Sequence, residues 1–126
     1  MLLKKIILRN EDPFEQSIES WAKKNGIPTV FFDGSQSLFD LCESLVIIHA
    51  DHNISRENKE LRAQIEKHHK PSREIDINGT MNASITSLKF WLENHTPENV
   101  LFVGDDKLIE STRFQDYLTE LSKQLN

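Results

Sequence analysis

The chain carries a single cysteine, Cys42, among 126 residues, so no disulfide can form within it. Glycine and proline are scarce, four of each, which excludes collagen-like and low-complexity chains. No apolar run approaches the roughly 18–20 residues of a membrane span. Met1-Leu2-Leu3-Lys4-Lys5 has no long apolar core behind its charges, so no signal peptide is expected and a cytoplasmic protein is the default. Positive charge is in deficit, with 15 Lys and Arg against 20 Asp and Glu and a net charge of −5. A binder of bare nucleic acid needs a basic face to displace counterions, and none is offered. The 37% of hydrophobic residues suffices for one core, and 126 residues is an ordinary size for one domain, spanning 1–126.

The apolar residues that are present come in short, evenly spaced runs. Ile6-Ile7-Leu8, Thr29-Val30-Phe31-Phe32, Leu45-Val46-Ile47-Ile48 and Val100-Leu101-Phe102-Val103 are continuous, as strands covered on both faces should be. Ile75 and Ile77 mark a weaker strand between the last two. A helical segment follows each. Asp12-Pro13 supplies an N-cap and a first-turn proline, Phe14, Ile18, Trp21 and Ala22 share one face, and Gly26 ends the helix. A short second helix opens near Ser35 and buries Leu38, Phe39, Leu41 and Cys42. The third, about Ser55 to His69, is polar apart from Ile54, Leu61 and Ile65, with Glu66 and Lys70 spaced for an i,i+4 pair. The fourth carries Met81, Ile85, Leu88, Trp91 and Leu92, and the last carries Phe114, Tyr117, Leu118, Leu121 and Leu125. This alternation predicts an α/β, flavodoxin-like three-layer sandwich: a five-stranded parallel sheet, order 2-1-3-4-5, with five helices.

In such sheets ligands bind beyond the carboxyl ends of the strands. Those ends carry Asn10, Glu11 and Asp12, then Asp33 and Gly34, then His49, Asp51 and His52, then Asn78, Gly79 and Thr80, then Asp105, Asp106 and Lys107. Two readings of this acidic edge stand side by side: a Mg²⁺ or phosphate site, or turn-forming residues at solvated strand ends. His49, His52, His68 and His69 lack the i,i+4 helical spacing or cysteine company of a zinc motif. No G-x-G-x-x-G, G-x-x-x-x-G-K or G-x-S-x-G motif is present. Phe90 and Trp91 adjoin on one helix and cannot both face the sheet, which suggests a small interface involving Phe90 and Tyr117, with a monomer or weak homodimer as the expected state.

The stretch Lys4 to Pro13 resembles the opening of a response-regulator receiver domain. Phe32-Asp33-Gly34-Ser35 is similar to that family's second turn, and Leu45-Val46-Ile47-Ile48 to the strand that ends in its phosphate-accepting aspartate. The resemblance places Asn10 and Glu11 at the acidic pair, His49 at the phosphoacceptor, Thr80 at the hydroxyl residue and Lys107 at the lysine. The pocket it implies is Asn10, Glu11, Asp12, His49, Asp51, Thr80 and Lys107, with Mg²⁺ held, if at all, by Glu11, Asp12 and Asp51. A histidine cannot replace a carboxylate nucleophile with the same ligands. The resemblance therefore implies a degenerate, non-phosphorylatable receiver-like signalling or protein-interaction module with a protein partner. A second resemblance is to Toll/interleukin-receptor-like domains, through Glu11-Asp12-Pro13-Phe14, Trp21, Gly26-Ile27 and Phe31-Phe32-Asp33, then Ser44-Leu45-Val46-Ile47-Ile48, Ser55 and Glu60-Leu61. It implies an NAD-cleaving or nucleotide-binding domain using Glu60, with Arg56 where those domains have tryptophan. Asp76 to Met81 resembles the nucleophile loop of haloacid-dehalogenase-type phosphatases. However, Asn78 takes the place of its second aspartate, and only one helix separates it from the similar stretch Val100 to Asp106.

Overall fold

The computed structural model describes residues 2–9, 12–35 and 37–125. Five strands alternate with helices: β1 (Ile6–Leu8), α1 (Pro13–Lys24), β2 (Thr29–Phe31), α2 (Leu38–Leu41), β3 (Ser44–His49), α3 (Arg56–Lys67), β4 (Ser72–Asp76), α4 (Met81–His95), β5 (Val100–Gly104) and α5 (Thr112–Leu125). A short 3₁₀ turn, Asp106–Glu110, joins β5 to α5. All strand pairs are parallel. No described helix is long and apolar enough to cross a membrane.

The strand order is β2-β1-β5-β3-β4, which corrects the expected 2-1-3-4-5. The physical reason lies in side-chain cover. Val100, Leu101, Phe102 and Val103 are all buried, so β5 needs a neighbour on each side and helices on both faces. It pairs Leu101 with Ile7 of β1 and with Leu45 of β3. In β4 only Ile75 is buried, and the partly open residues around it suit a sheet margin.

Alternation along the strands sorts the core into two layers. Ile6, Leu8, Val46, Ile48, Val100 and Phe102 meet α1, α4 and α5 on one face. Ile7, Leu45, Ile47, Leu101 and Val103 meet α2 and α3 on the other. Those faces are the ones right-handed crossovers require. The two steps toward β2 and β5 run one way across the sheet, and the two toward β3 and β4 run the other way.

Local chemistry sets the helix ends. Asp12 Oδ1 accepts the Glu15 N–H at 2.8 Å, Pro13 occupies the first turn, and Gly26 adopts φ +68° just past α1. Ser55 Oγ accepts the Asn58 N–H at 3.1 Å to cap α3. The second helix is a single turn, and Cys42 is its C-cap rather than an interior residue. Lys70 does not pair with Glu66. Its Nζ donates to the carbonyls of Phe39 and Cys42, because the end of α2 leaves those acceptors open, while Glu66 accepts from the Ser72 hydroxyl.

Burial pushes the Cys42 thiol above its ordinary value, against the pull of the Lys70 charge. A buried, protonated thiol is a poor nucleophile. Cys42 is therefore expected to resist iodoacetamide in the folded protein and to react fully in urea, read by intact mass. Equal rates in both states would contradict its placement in the core.

Candidate functional site

The helices leaving β3 and β5 diverge to opposite faces, since α3 covers one layer and α5 the other. Divergence of this kind opens a crevice at the carboxyl edge. A cavity of about 370 Å³ lies there. Ala50, Asn53, Ile54 and Ser55 of the β3–α3 loop form one wall. Asp105, Lys107, Leu108 and Ser111 form the other. Ser55 and Asp105 also border a smaller hollow of about 220 Å³, which reaches Arg9 and Asp12 beside β1. Arg9 links α3 to α1 beside this smaller hollow. Its Nη2 donates to Asn58 Oδ1 at 3.0 Å, and its backbone N–H donates to Glu15 Oε1 at 3.1 Å.

The acidic edge has a consistent internal use. Asp12 caps α1. Asp33 Oδ1 accepts the Ser35 N–H at 2.8 Å. Asp105 Oδ1 accepts the Lys107 N–H at 3.1 Å, and Asp106 Oδ1 accepts the Phe14 N–H at 3.3 Å. Asp76 Oδ1 accepts N–H groups from Asp51 at 3.1 Å and Asn78 at 2.9 Å, and Asp51 Oδ2 accepts from Asn78 Nδ2 at 2.9 Å. Asp12, Asp33, Asp76, Asp105 and Asp106 thus each accept a backbone N–H at a strand end, turn or helix start, while Asp51 accepts the side-chain amide of Asn78. That is how the like charges are held close together.

Of the residues the sequence points to, Asn10 and Glu11 lie outside the described residues. Asp12 stands beside β1 and Asp51 faces the β4–α4 loop, with β5 and β3 between those strands. Lys107 lines the cleft between the β3–α3 loop and the β5–α5 segment. Thr80 sits at the N-cap of α4 without a side-chain capping bond. Glu60 is 67% exposed on the open side of α3, where Oε1 accepts from Arg56 Nε at 3.1 Å, and it borders neither hollow. Phe90 is 61% exposed, but Tyr117 is fully buried with its hydroxyl 3.2 Å from that of Ser84. Its i,i+4 spacing with Leu121 places it on the core stripe of α5, so only Phe90 is presented at the surface.

His49 is 2% exposed at the end of β3, and its Nδ1 accepts the His52 N–H at 3.1 Å. The two rings stack with centroids 5.1 Å apart. Burial pushes the His49 imidazole below its ordinary value, and His52 adds to this, while Asp76 and Asp51 oppose it. The unfolded chain takes up the proton first, so stability is full above about pH 6.5 and is lost as the pH falls toward the lower folded value. Asp76 also lies below its ordinary value. Burial works against this, but the Asn78 and Asp51 N–H groups and the two histidines outweigh it. Its contribution is present above about pH 4 and lost only below, so the two windows separate. With a chelator present, the urea midpoint is expected to fall between pH 7.5 and 5.5, and His49→Gln should flatten that fall. An unchanged slope in the variant would contradict a neutral, buried His49.

No protein-family model, no curated protein and no solved structure matches the chain.

Proposed function

We propose that this domain is a non-phosphorylatable signalling or protein-interaction module, with its partner received at the cleft between the β3–α3 loop and the β5–α5 segment. The observation that carries this is the engagement of the edge carboxylates within the chain. Asp12, Asp33, Asp51, Asp76, Asp105 and Asp106 each accept an N–H from the chain itself. Phosphoryl transfer to a carboxylate needs a free nucleophilic oxygen beside a metal ion that neutralises the phosphoryl group. Here the strand-end position holds His49, and Asp51 is turned toward Asn78. The cleft itself mixes apolar Ala50, Ile54 and Leu108 with polar Asn53, Ser111 and Lys107, a composition suited to a partner segment. Ancestry carries none of this, because β2-β1-β5-β3-β4 differs from the 2-1-3-4-5 order of receivers.

Incubation with acetyl phosphate and Mg²⁺ tests the proposal by intact mass. The chain is expected to remain unmodified. A covalent phosphate that disappears in Asp51→Asn would overturn it.

A further inference from the structure

One cluster at the carboxyl edge shares no residue with the lining of the cleft. His49 ends β3 with its side chain on the α3 face, two residues beyond Ile47 of that layer. Glu74 of β4 pairs in register with Ile47, and Asp76 with His49, so Glu74 reaches the same face. His52 comes from the turn that follows. Asp51 and His52 both adopt positive φ, +53° and +64°, which folds the chain back and lays the His52 ring on His49. One donor atom from each of His49, His52 and Glu74 lies within 4.8 Å of the other two. Among the described residues no other group of three histidine, cysteine, aspartate or glutamate side chains comes so close.

We propose that His49, His52 and Glu74 form a binding site for a first-row transition-metal dication, of which Zn²⁺ fits the donor set best. Two imidazoles and one carboxylate make a three-ligand set that leaves a coordination position open. A tetrahedral ion with bonds of about 2.0–2.1 Å draws its donors closer than they stand. The exposed His52 turn and the Glu74 side chain supply that movement, while His49 is fixed in the core. Arg62 on α3 pairs with Glu74 Oε1 and leaves the second carboxylate oxygen for the ion, so the pair orients the ligand rather than blocking it. The His52 N–H now held by His49 Nδ1 belongs to an exposed turn, and water can take it over as that turn shifts toward the ion and frees Nδ1. Asp51 and Asp76 add negative charge beside the cluster. Isolated spacing in the sequence does not reveal this site, because its third ligand arrives only through the β3–β4 register.

Calorimetric titration of Zn²⁺ alone into the chelator-stripped full chain, with thermal unfolding in parallel, tests it. One saturable site that raises the melting temperature is expected. His52→Ala and Glu74→Gln should each weaken binding at least tenfold, while a His68→Ala/His69→Ala variant binds as the parent does. Co²⁺ in the same site should give the visible bands of a four- or five-coordinate ion. Absence of a saturable site would overturn the proposal. So would undiminished binding in both His52→Ala and Glu74→Gln, or loss of binding in the His68/His69 variant. The exposed His52 position keeps the test independent of folding.

Discussion

Gly104→Ala is expected to destabilise the domain by about 3 kcal/mol, the upper end of the usual overpacking range. A Cβ at this position would stand 2.5 Å from Phe14 Cε2 and 2.7 Å from Cζ. Phe14 is fully buried and stacks on Phe114 with centroids 5.6 Å apart, so its ring has nowhere to retreat. Gly104 has no left-handed backbone to relieve, and the whole effect is steric. The contact also joins the end of β5 to the first turn of α1, at the floor of the edge where the cleft opens. Phe14→Leu in the Gly104→Ala background should recover part of the loss, as a favourable coupling of about 1 kcal/mol or more in a double-mutant cycle. Chemical denaturation of the four proteins measures it. Strict additivity of the two substitutions would contradict the packing described.

Trp21→Ala is expected to cost about 3–5 kcal/mol, the range for a large aromatic removed from a core. Trp21 is 7% exposed and closes the seam between α1 and α5. Its Nε1 donates to the Leu118 carbonyl at 2.8 Å, inside the C-terminal helix. Against a total stability of about 5–15 kcal/mol, the loss would take a large share of the fold. Trp21→Phe separates the two contributions. It keeps most of the ring packing and leaves the indole's hydrogen bond unmade, so about 1–3 kcal/mol should remain lost. If Trp21→Phe were neutral, the Leu118 contact would carry no stability.

Much of this fold can be read from local pattern. The Asp12-Pro13 start of α1, the amphipathic stripe of α5 and the four apolar strand runs are local statements, and the structure places an element at each. The fourth strand begins earlier than Ile75 and Ile77 suggest. Ser72-Arg73-Glu74 hides its start, because a margin strand need bury little. The order of the strands is a long-range property. The continuous apolar run of β5 matches its central place, but Thr29-Val30-Phe31-Phe32 carries the same pattern at the sheet margin with Val30 exposed, so such a run does not by itself order the strands. The 3₁₀ turn at Asp106–Glu110 left no periodic trace, being too short to show one.

The edge was legible as a list of residues but not as an arrangement. That Asp51 binds Asn78, that Asp106 reaches Phe14 and that Glu74 comes beside His49 all depend on register and turn geometry. Tyr117 shows the same limit from the other side. It lies on the core stripe by spacing, and its hydroxyl finds a partner in Ser84 on α4, a contact no local pattern encodes.

The strand-end aspartates serve N–H groups of the chain itself, Asp51 that of the Asn78 side chain, rather than a phosphoryl group and its metal. Thermal unfolding in Mg²⁺, and in Mg²⁺ with beryllofluoride, measures this most directly through ligand linkage. The predicted result is a melting temperature that does not move beyond a matched ionic-strength control in either condition. A rise of several degrees with beryllofluoride, abolished by Asp51→Asn, would contradict the account and make the acidic edge a working phosphoryl pocket.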